Sequence, residues 1–485
     1  MKRAAFLLCI AAGVLCGCVV GPRFAPPATP SEVGRYTAEH LAIEDGEPGD
    51  ALAQHVQPGA SLVREWWGLF GSDDLDALVK RALGHNRTLA AAAANVDEAR
   101  ELAAAQAGAF SPQVSLDGAA GRQKYGVEML GTLPKPAPFT YFAIGPSVSY
   151  MLDYVGGTAR AVERQEALAG YREQQAAAAY LSVTGNAAML ALRIASLREQ
   201  VASAEALLEQ DRENLKLVGL AFDAGTVSRL DVVAADSQLA ADATLLPPLR
   251  QALGAARHAL AVVAGVAPGN ARLPELDLDR VSLPRALPVS VPSDLVHRRP
   301  DILAAEAQLH AATAAVGIAE ANLYPRITLT ASVSQQSTDL AHLFDRDANA
   351  WAAAGSLTAP LLDGGTLRAQ KRAAADAMRA SLANYEQAVL VAFGQVADCL
   401  EALDRDAEEL RAQAHARDTA STNLDLTRGS YREGNVGVLQ VLDAQRTYQR
   451  AQLGYVRARG QRYLDTVQLF LALGGGGPPR PASGR

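Results

Sequence analysis

Cysteine is scarce in this chain: four residues in 485, at positions 9, 16, 18 and 399. Once a leader holding the first two is removed, and if Cys18 is modified, Cys399 stands alone. That excludes an internal disulfide and a cysteine-based metal site. Past the first fifteen residues no run of eighteen apolar side chains occurs, so no membrane-spanning helix is expected and any crossing would need strands. The eight histidines are scattered, with no His-Glu-x-x-His pair and no zinc spacing. There is no Gly-x-Ser-x-Gly elbow, and the glycines at 474–477 lack the Lys-Ser/Thr pair and helix of a phosphate cradle. No catalytic residue, cofactor site or metal ligand set is therefore expected. A formal charge of −7 without a basic stripe excludes a nucleic-acid partner. Glu408-Glu409 reads as a solvated helix face.

Aromatic residues make up only 5% of the chain. In their place stands alanine, about a fifth of all residues, which suits long helices whose backbones approach closely. Residues 157–218 and 365–428 contain no proline. Each run of roughly 60 residues would make a helix about 90 Å long, a length found in coiled coils and helical barrel walls. At the N-terminus, Met1-Lys2-Arg3 precedes a short apolar run, the layout of a secretory signal. Leu15-Cys16-Gly17-Cys18 resembles the bacterial lipobox, with Cys16 an unusual occupant of its slot. The resemblance implies that residues 1–17 are removed and Cys18 is acylated. Val19, where inner-membrane lipoproteins commonly carry Asp, implies the outer membrane.

The chain is written twice. Asn86-Arg87-Thr88-Leu89 recurs as Arg299-Pro300-Asp301-Ile302, and Phe110-Ser111-Pro112 as Leu323-Tyr324-Pro325 at the same offset. Leu152-Asp153-Tyr154-Val155-Gly156-Gly157-Thr158 matches Leu362-Asp363-Gly364-Gly365-Thr366, and Phe222-Asp223-Ala224-Gly225 matches Tyr431-Arg432-Glu433-Gly434. The expected division is a lipidated segment over 18–73, a first copy over 74–283, a second over 284–473 and a disordered tail over 474–485. Each copy reads helix, strand, strand, long helix, helix. The opening helices are expected over 74–110 and 294–323, the closing ones over 228–264 and 438–473.

Ile327, Leu329, Ala331 and Val333 alternate with polar residues, as Phe142, Ile144, Val148, Tyr150 and Leu152 do with smaller ones. A period of two with one apolar face marks a half-buried or lipid-facing strand. Four strands cannot close a barrel. Two chains would give eight and a filled interior, three would give twelve and a lumen, so a channel prefers a trimer.

The segment from Val291 through Arg298-Arg299-Pro300-Asp301-Ile302 to Leu309 resembles the signature of the outer-membrane efflux factors, in the lipoprotein (NodT/OprM-like) branch of the TolC superfamily. Trp66-Trp67-x-x-Phe70, the stretch from Tyr385 to Asp398 and Leu442-Asp443-Ala444-Gln445-Arg446 resemble further motifs of that family. The match runs from Cys18 to about Gly474. It implies a mainly α fold with a membrane β-barrel: a long α-helical barrel and four strands per chain, twelve strands in a homotrimer. It also implies an outer-membrane location, lipid-anchored and extending into the periplasm. The implied partners are outer-membrane lipid, a periplasmic adaptor and an inner-membrane transporter of the resistance-nodulation-division or major-facilitator class. The function so implied is a passive efflux duct for small molecules such as antimicrobials. Type I protein secretion and a poreless periplasmic scaffold are the alternatives.

Arg298, Arg299 and Asp301 open a helix and are expected to cap it. Leu439, Asp443 and Arg446, three and four residues apart, share one helix face. The resemblance places them at a periplasmic gate. Their first-copy counterparts are Leu230, Ala234 and Ser237, so the charges belong to the second copy alone.

Overall fold

The structure, a computed structural model, describes residues 19–28, 35–39, 41–45, 53–124 and 137–476. The leader and Cys18 lie outside the described residues. A one-turn helix α1 (Ala42–Asp45) and strand β1 (His55–Pro58) precede helices α2 (Asp73–His85) and α3 (Arg87–Ala107). Strands β2 (Gln113–Gln123) and β3 (Phe139–Leu152) follow, then α4 (Gly157–Asp223), α5 (Arg229–Ala243) and α6 (Leu246–Val263). After β4 (Ala286–Val289) the order returns as α7 (Pro292–Val296), α8 (Pro300–Ala321), β5 (Arg326–Ser337), β6 (Asn349–Thr358), α9 (Thr366–Arg432) and α10 (Val438–Ala472). Both long helices, α4 and α9, hold 67 residues, about 100 Å of helix each. The chain forms two compact units, and each draws residues from both sequence copies.

The first unit (1–27, 95–173 and 304–386) holds an antiparallel sheet in the order β2-β3-β5-β6. Its register sorts side chains cleanly by face. Val114 lies opposite Val148, Tyr150 opposite Leu329, Ile327 opposite Leu357 and Val333 level with Trp351. That apolar face is open, with Leu116 72% and Trp351 76% exposed. The other face carries Ser115, Asp117, Ser147, Thr328, Thr330 and Ser356. Ser147 donates to Asp117 at 2.6 Å, and the Ser115 and Ser147 hydroxyls are 2.8 Å apart. Pro146 sits inside central strand β3, where a missing N–H normally bars proline. The ladder accommodates it by skipping from Ile144–Gln335 to Ser147–Ser332. The adjacent Gly145 allows the Val333 carbonyl to approach where any Cβ would collide.

The second unit (28–94, 174–303 and 387–485) has a small-residue and aromatic core. Trp66, Trp67 and Phe70 are buried, with Trp66 and Phe70 packed on Phe470 at ring separations of 5.8 and 6.2 Å. The Trp67 indole N–H donates to Asp76 at 3.0 Å, meeting the need of a buried ring nitrogen. Ala187, Ala188, Ala191 and Ala195 bury one face of α4. A Cβ on Gly460 of α10 would strike the Ser196 side chain, which measures how closely α4 and α10 approach. β1 and β4 pair in parallel, tying the N-terminal segment to the linker between the copies.

Each expected opening helix is broken, and at equivalent places. In the first copy the break is Asn86, whose Oδ1 accepts from Leu89 N–H at 3.1 Å and whose Nδ2 donates to the Val263 carbonyl at 2.9 Å. In the second, α7 stops before His297 and α8 starts at Pro300, the residue aligned with Arg87. A capping Asn and a helix-opening Pro serve the same purpose here. The long helices also run a few residues beyond the expected ranges, to Asp223 and Arg432. Among the described residues, α4 and α8 each contain an 18-residue window apolar enough to cross a membrane by composition, at mean hydropathy 1.2 and 1.3. Alanine supplies much of that value, and 50% and 44% of those windows are buried, so they act as packing surfaces. Gly474 and Gly475 close α10 through bonds to Leu471 and Phe470, so the first residues of the expected tail belong to the helix end, and its residues 477–485 lie outside the described residues.

Candidate functional site

Two matching helical hairpins lie in the second unit. Gly225 and Gly434, at φ of +74° and +76°, end α4 and α9 in the left-handed conformation that only glycine adopts without strain. Thr226 N–H then reaches Ala221 O and Asn435 N–H reaches Ser430 O, both at 2.9 Å. Ser228 caps α5 in a reciprocal box with Asp231, whereas Gly437 opens α10 without a side-chain cap. Leu439, Asp443 and Arg446 therefore fall within the first turns of α10.

The structure brings these three residues onto one cleft of about 210 Å³, lined also by Asp211, Asn214, Ala234 and Gln238. Arg446 donates to Asp443 at 2.6 Å and to the Gln238 side-chain oxygen at 3.1 Å. Leu439 is 37% exposed at the cleft rim. The first-copy counterpart Ala234 lines the same cleft, while Leu230 faces solvent.

Beneath the expected trio lies a polar network that sequence reading missed. Gln238 donates to Asp242 at 2.7 Å, and Arg450 reaches the other oxygen of Asp242 at 2.8 Å. The Asp211 carboxyl of α4 meets that of Asp242 of α5, and both residues are buried, at 3% and 4% exposure. Burial, and then the neighbouring Asp242, push Asp211 up to about 6. Burial also opposes ionisation of Asp242, but Arg450 and Gln238 outweigh it and hold that carboxyl below its ordinary range. The i,i+4 pairs Gln238/Asp242 and Arg446/Arg450 were a readable signal of matched faces. Asp211, isolated in a long helix, gave none.

The Arg-Arg-Pro-Asp-Ile block is structural. Arg299 is buried, chelates Asp301 at 2.6 and 3.0 Å, and donates to Gln395 at 2.6 Å and to the Ala472 carbonyl at the end of α10 at 2.8 Å. Asp301 also accepts from Ile302 N–H at 3.0 Å. Burial opposes its charge, and the guanidinium more than compensates, keeping its carboxyl below the usual range.

In the first unit, the residues directly after Cys18 are held at the turn between β3 and α4. Val20 N–H donates to Val155 O at 3.0 Å. Arg160 reaches the carbonyls of Val20 and Gly21 at 3.1 and 3.2 Å, and Phe24 stacks on His310 at 4.2 Å. Among the described residues, Glu199, Asp277 and Asp279 form one carboxylate group close enough for a cation. Arg459 already pairs with two of the three, 2.7 Å from Asp279 and 3.6 Å from Glu199.

A family whose description is "Outer membrane efflux protein" matches residues 78–266 and 291–475, one stretch in each copy. The chain is 32% identical over 421 residues to the pyoverdine export outer membrane protein OpmQ of Pseudomonas aeruginosa, covering 86% of this chain and 88% of that protein. It is 28% identical over 477 residues to nodulation protein T of Rhizobium leguminosarum bv. trifolii, covering 97% of each. Among solved structures it is similar to the outer-membrane channel OprN, with a TM-score of 0.84 and 28% identity over 95% of this chain and 99% of that one.

Proposed function

Given that this chain belongs to the outer membrane efflux protein family, we propose that three copies close into one lipid-anchored channel gated at its periplasmic end. The protein is an outer-membrane efflux channel subunit of a tripartite pump and not an enzyme. The observation that carries the closed channel is the four-stranded sheet, with its one continuous apolar face and its two outer strands unpaired on their outer edges among the described residues. The apolar face can meet lipid, but strand edges cannot be left open in a bilayer, because an unpaired backbone group there costs several kcal/mol. Edge pairing between copies removes that cost, and twelve strands leave a lumen lined by the Ser/Thr face.

The anchor is Cys18, acylated after removal of residues 1–17. Its support is the placement of Val19 to Gly21 at the base of β3, where a lipid would reach the same membrane level as the strands. The gate is built from Leu439, Asp443 and Arg446. The periplasmic partners are an adaptor and an inner-membrane transporter of the resistance-nodulation-division or major-facilitator class. The cargo is small molecules, a reading supported by relatives named for pyoverdine export, antibiotic efflux and toluene efflux. Planar-bilayer recording of the purified full chain tests the channel. Discrete conductance steps from a trimeric species are expected, and a protein that binds membranes without conducting would be a scaffold.

A further inference from the structure

The gate residues do not account for the buried carboxylates below them. Two acids face each other from adjacent helices, Asp211 on α4 and Asp242 on α5, and both are almost fully withdrawn from water. One oxygen of Asp211, Oδ2, is buried with no hydrogen-bond partner. The charged groups around the pair come from two helices: Arg446 and Arg450 of α10 on one side, with Asp443 of α10 and Asp231 of α5 on the cleft wall. Arg450 is bonded to Asp242, whereas Arg446 divides its bonds between Asp443 and Gln238 and acts on Asp211 only through space. Asp211 is therefore the one member of the pair without a bonded cation.

We propose that Asp211 and Asp242 form a proton-operated latch: a shared proton ties α4 to α5, and its loss sets the two helices against each other and draws Arg446 away from Asp443. The chemistry follows from two carboxylates in one dry site, which cannot both ionise without repulsion. The neutral form of Asp211 can donate to Asp242 and costs little to bury. The ionised form brings a second negative charge and an unsatisfied oxygen, and the nearest mobile positive group is Arg446.

The sign is set by the raised affinity of Asp211 for its proton. The folded pair keeps that proton up to about pH 6, where an unfolded chain has already lost it. The α4–α5 contact is thus strongest at acid pH and weakens as pH rises through that value. Because the gate pair shares Arg446, the pore should be tighter below about pH 6 than above it. This consequence rests on the channel reading, while the latch itself does not.

The test has two arms on the purified full-length protein. Infrared difference spectra taken from pH 5 to pH 8 should show a protonated carboxyl lost with a midpoint near 6. Asp211→Asn should remove that signal, and a signal that persists in the variant overturns the latch. In bilayers, wild-type conductance should rise across the same interval, while Asp211→Asn, an isostere that still donates a hydrogen bond, should stay at the acid level throughout. Equal pH dependence in both proteins overturns the coupling to the gate. A protein that never conducts overturns the channel reading and leaves the infrared arm to decide the latch. Should Asp211→Asn fail to assemble, Arg450→Gln supplies a second check. Loss of that cation should move the midpoint upward, and an unmoved midpoint overturns the proposal.

Discussion

Arg446 carries two loyalties at the residue scale: it bonds Asp443 on its own helix and Gln238 of the other hairpin. The Asp443 side chain is mostly in water, so the ion pair contributes at most about 1 kcal/mol per chain. In the proposed gate, closure held by three such weak pairs would be easily biased. Asp443→Ala combined with Arg446→Ala should raise resting conductance and weaken cation selectivity, as read in single-channel recordings. Substitutions at Ala234 and Ser237 should change both less. Arg299 is the opposite case, because it is buried and satisfies Asp301, Gln395 and the Ala472 carbonyl together. Arg299→Ala should cost about 1–3 kcal/mol, chiefly by stranding the buried Ala472 carbonyl, measured as a lowered unfolding midpoint in detergent. Asp406 adds a pH signature, since burial and then Asp465 push it up to about 8. The folded chain keeps that proton where the unfolded chain loses it near pH 4, so stability falls as pH rises between those values. Asp406→Asn should therefore raise the thermal midpoint at pH 8 by several degrees and change it little at pH 4.

At the scale of elements, the strands make the sharpest claim. Leu329 shares its face with Tyr150 and Gly355, while Thr330 shares the opposite one with Ser149 and Ala354. Leu329→Arg should cost about 2–4 kcal/mol if that face meets lipid near the midplane, and Thr330→Arg should be better tolerated. Assembly yield in the outer membrane measures both, and equal tolerance would contradict the facing. The strand faces were legible because a period of two survives any tertiary arrangement. The helix break at Asn86 was not, since its cap depends on a carbonyl offered by Val263, 177 residues away. Asn86→Ala should remove that support at a cost of about 1 kcal/mol, visible in the unfolding midpoint.

For the whole molecule, β2 and β6 are the strands whose outer edges have no partner among the described residues. Mass measurement in detergent should find three chains per particle. Proline at Ala354 in β6 should deplete that species, because an edge that pairs between copies cannot spare an N–H. A monomeric particle in which the proline variant behaves like the wild type would argue that the edges stay open.

The sequence by itself determined the duplication, the two long helices and the strand faces. Each of these is periodic or compositional, so it needs no knowledge of what lies across the core. It also placed Leu439, Asp443 and Arg446 on one helix face through their spacing. Only the tertiary structure decided what that face meets. Asp211 reaches Asp242 from 31 positions away, and Arg450 reaches Asp242 across 208. A carboxylate in a long polar helix reads as solvated until another helix covers it. Burial, which turns such a residue from a surface charge into a proton site, is a property of the packed helices and not of any one segment.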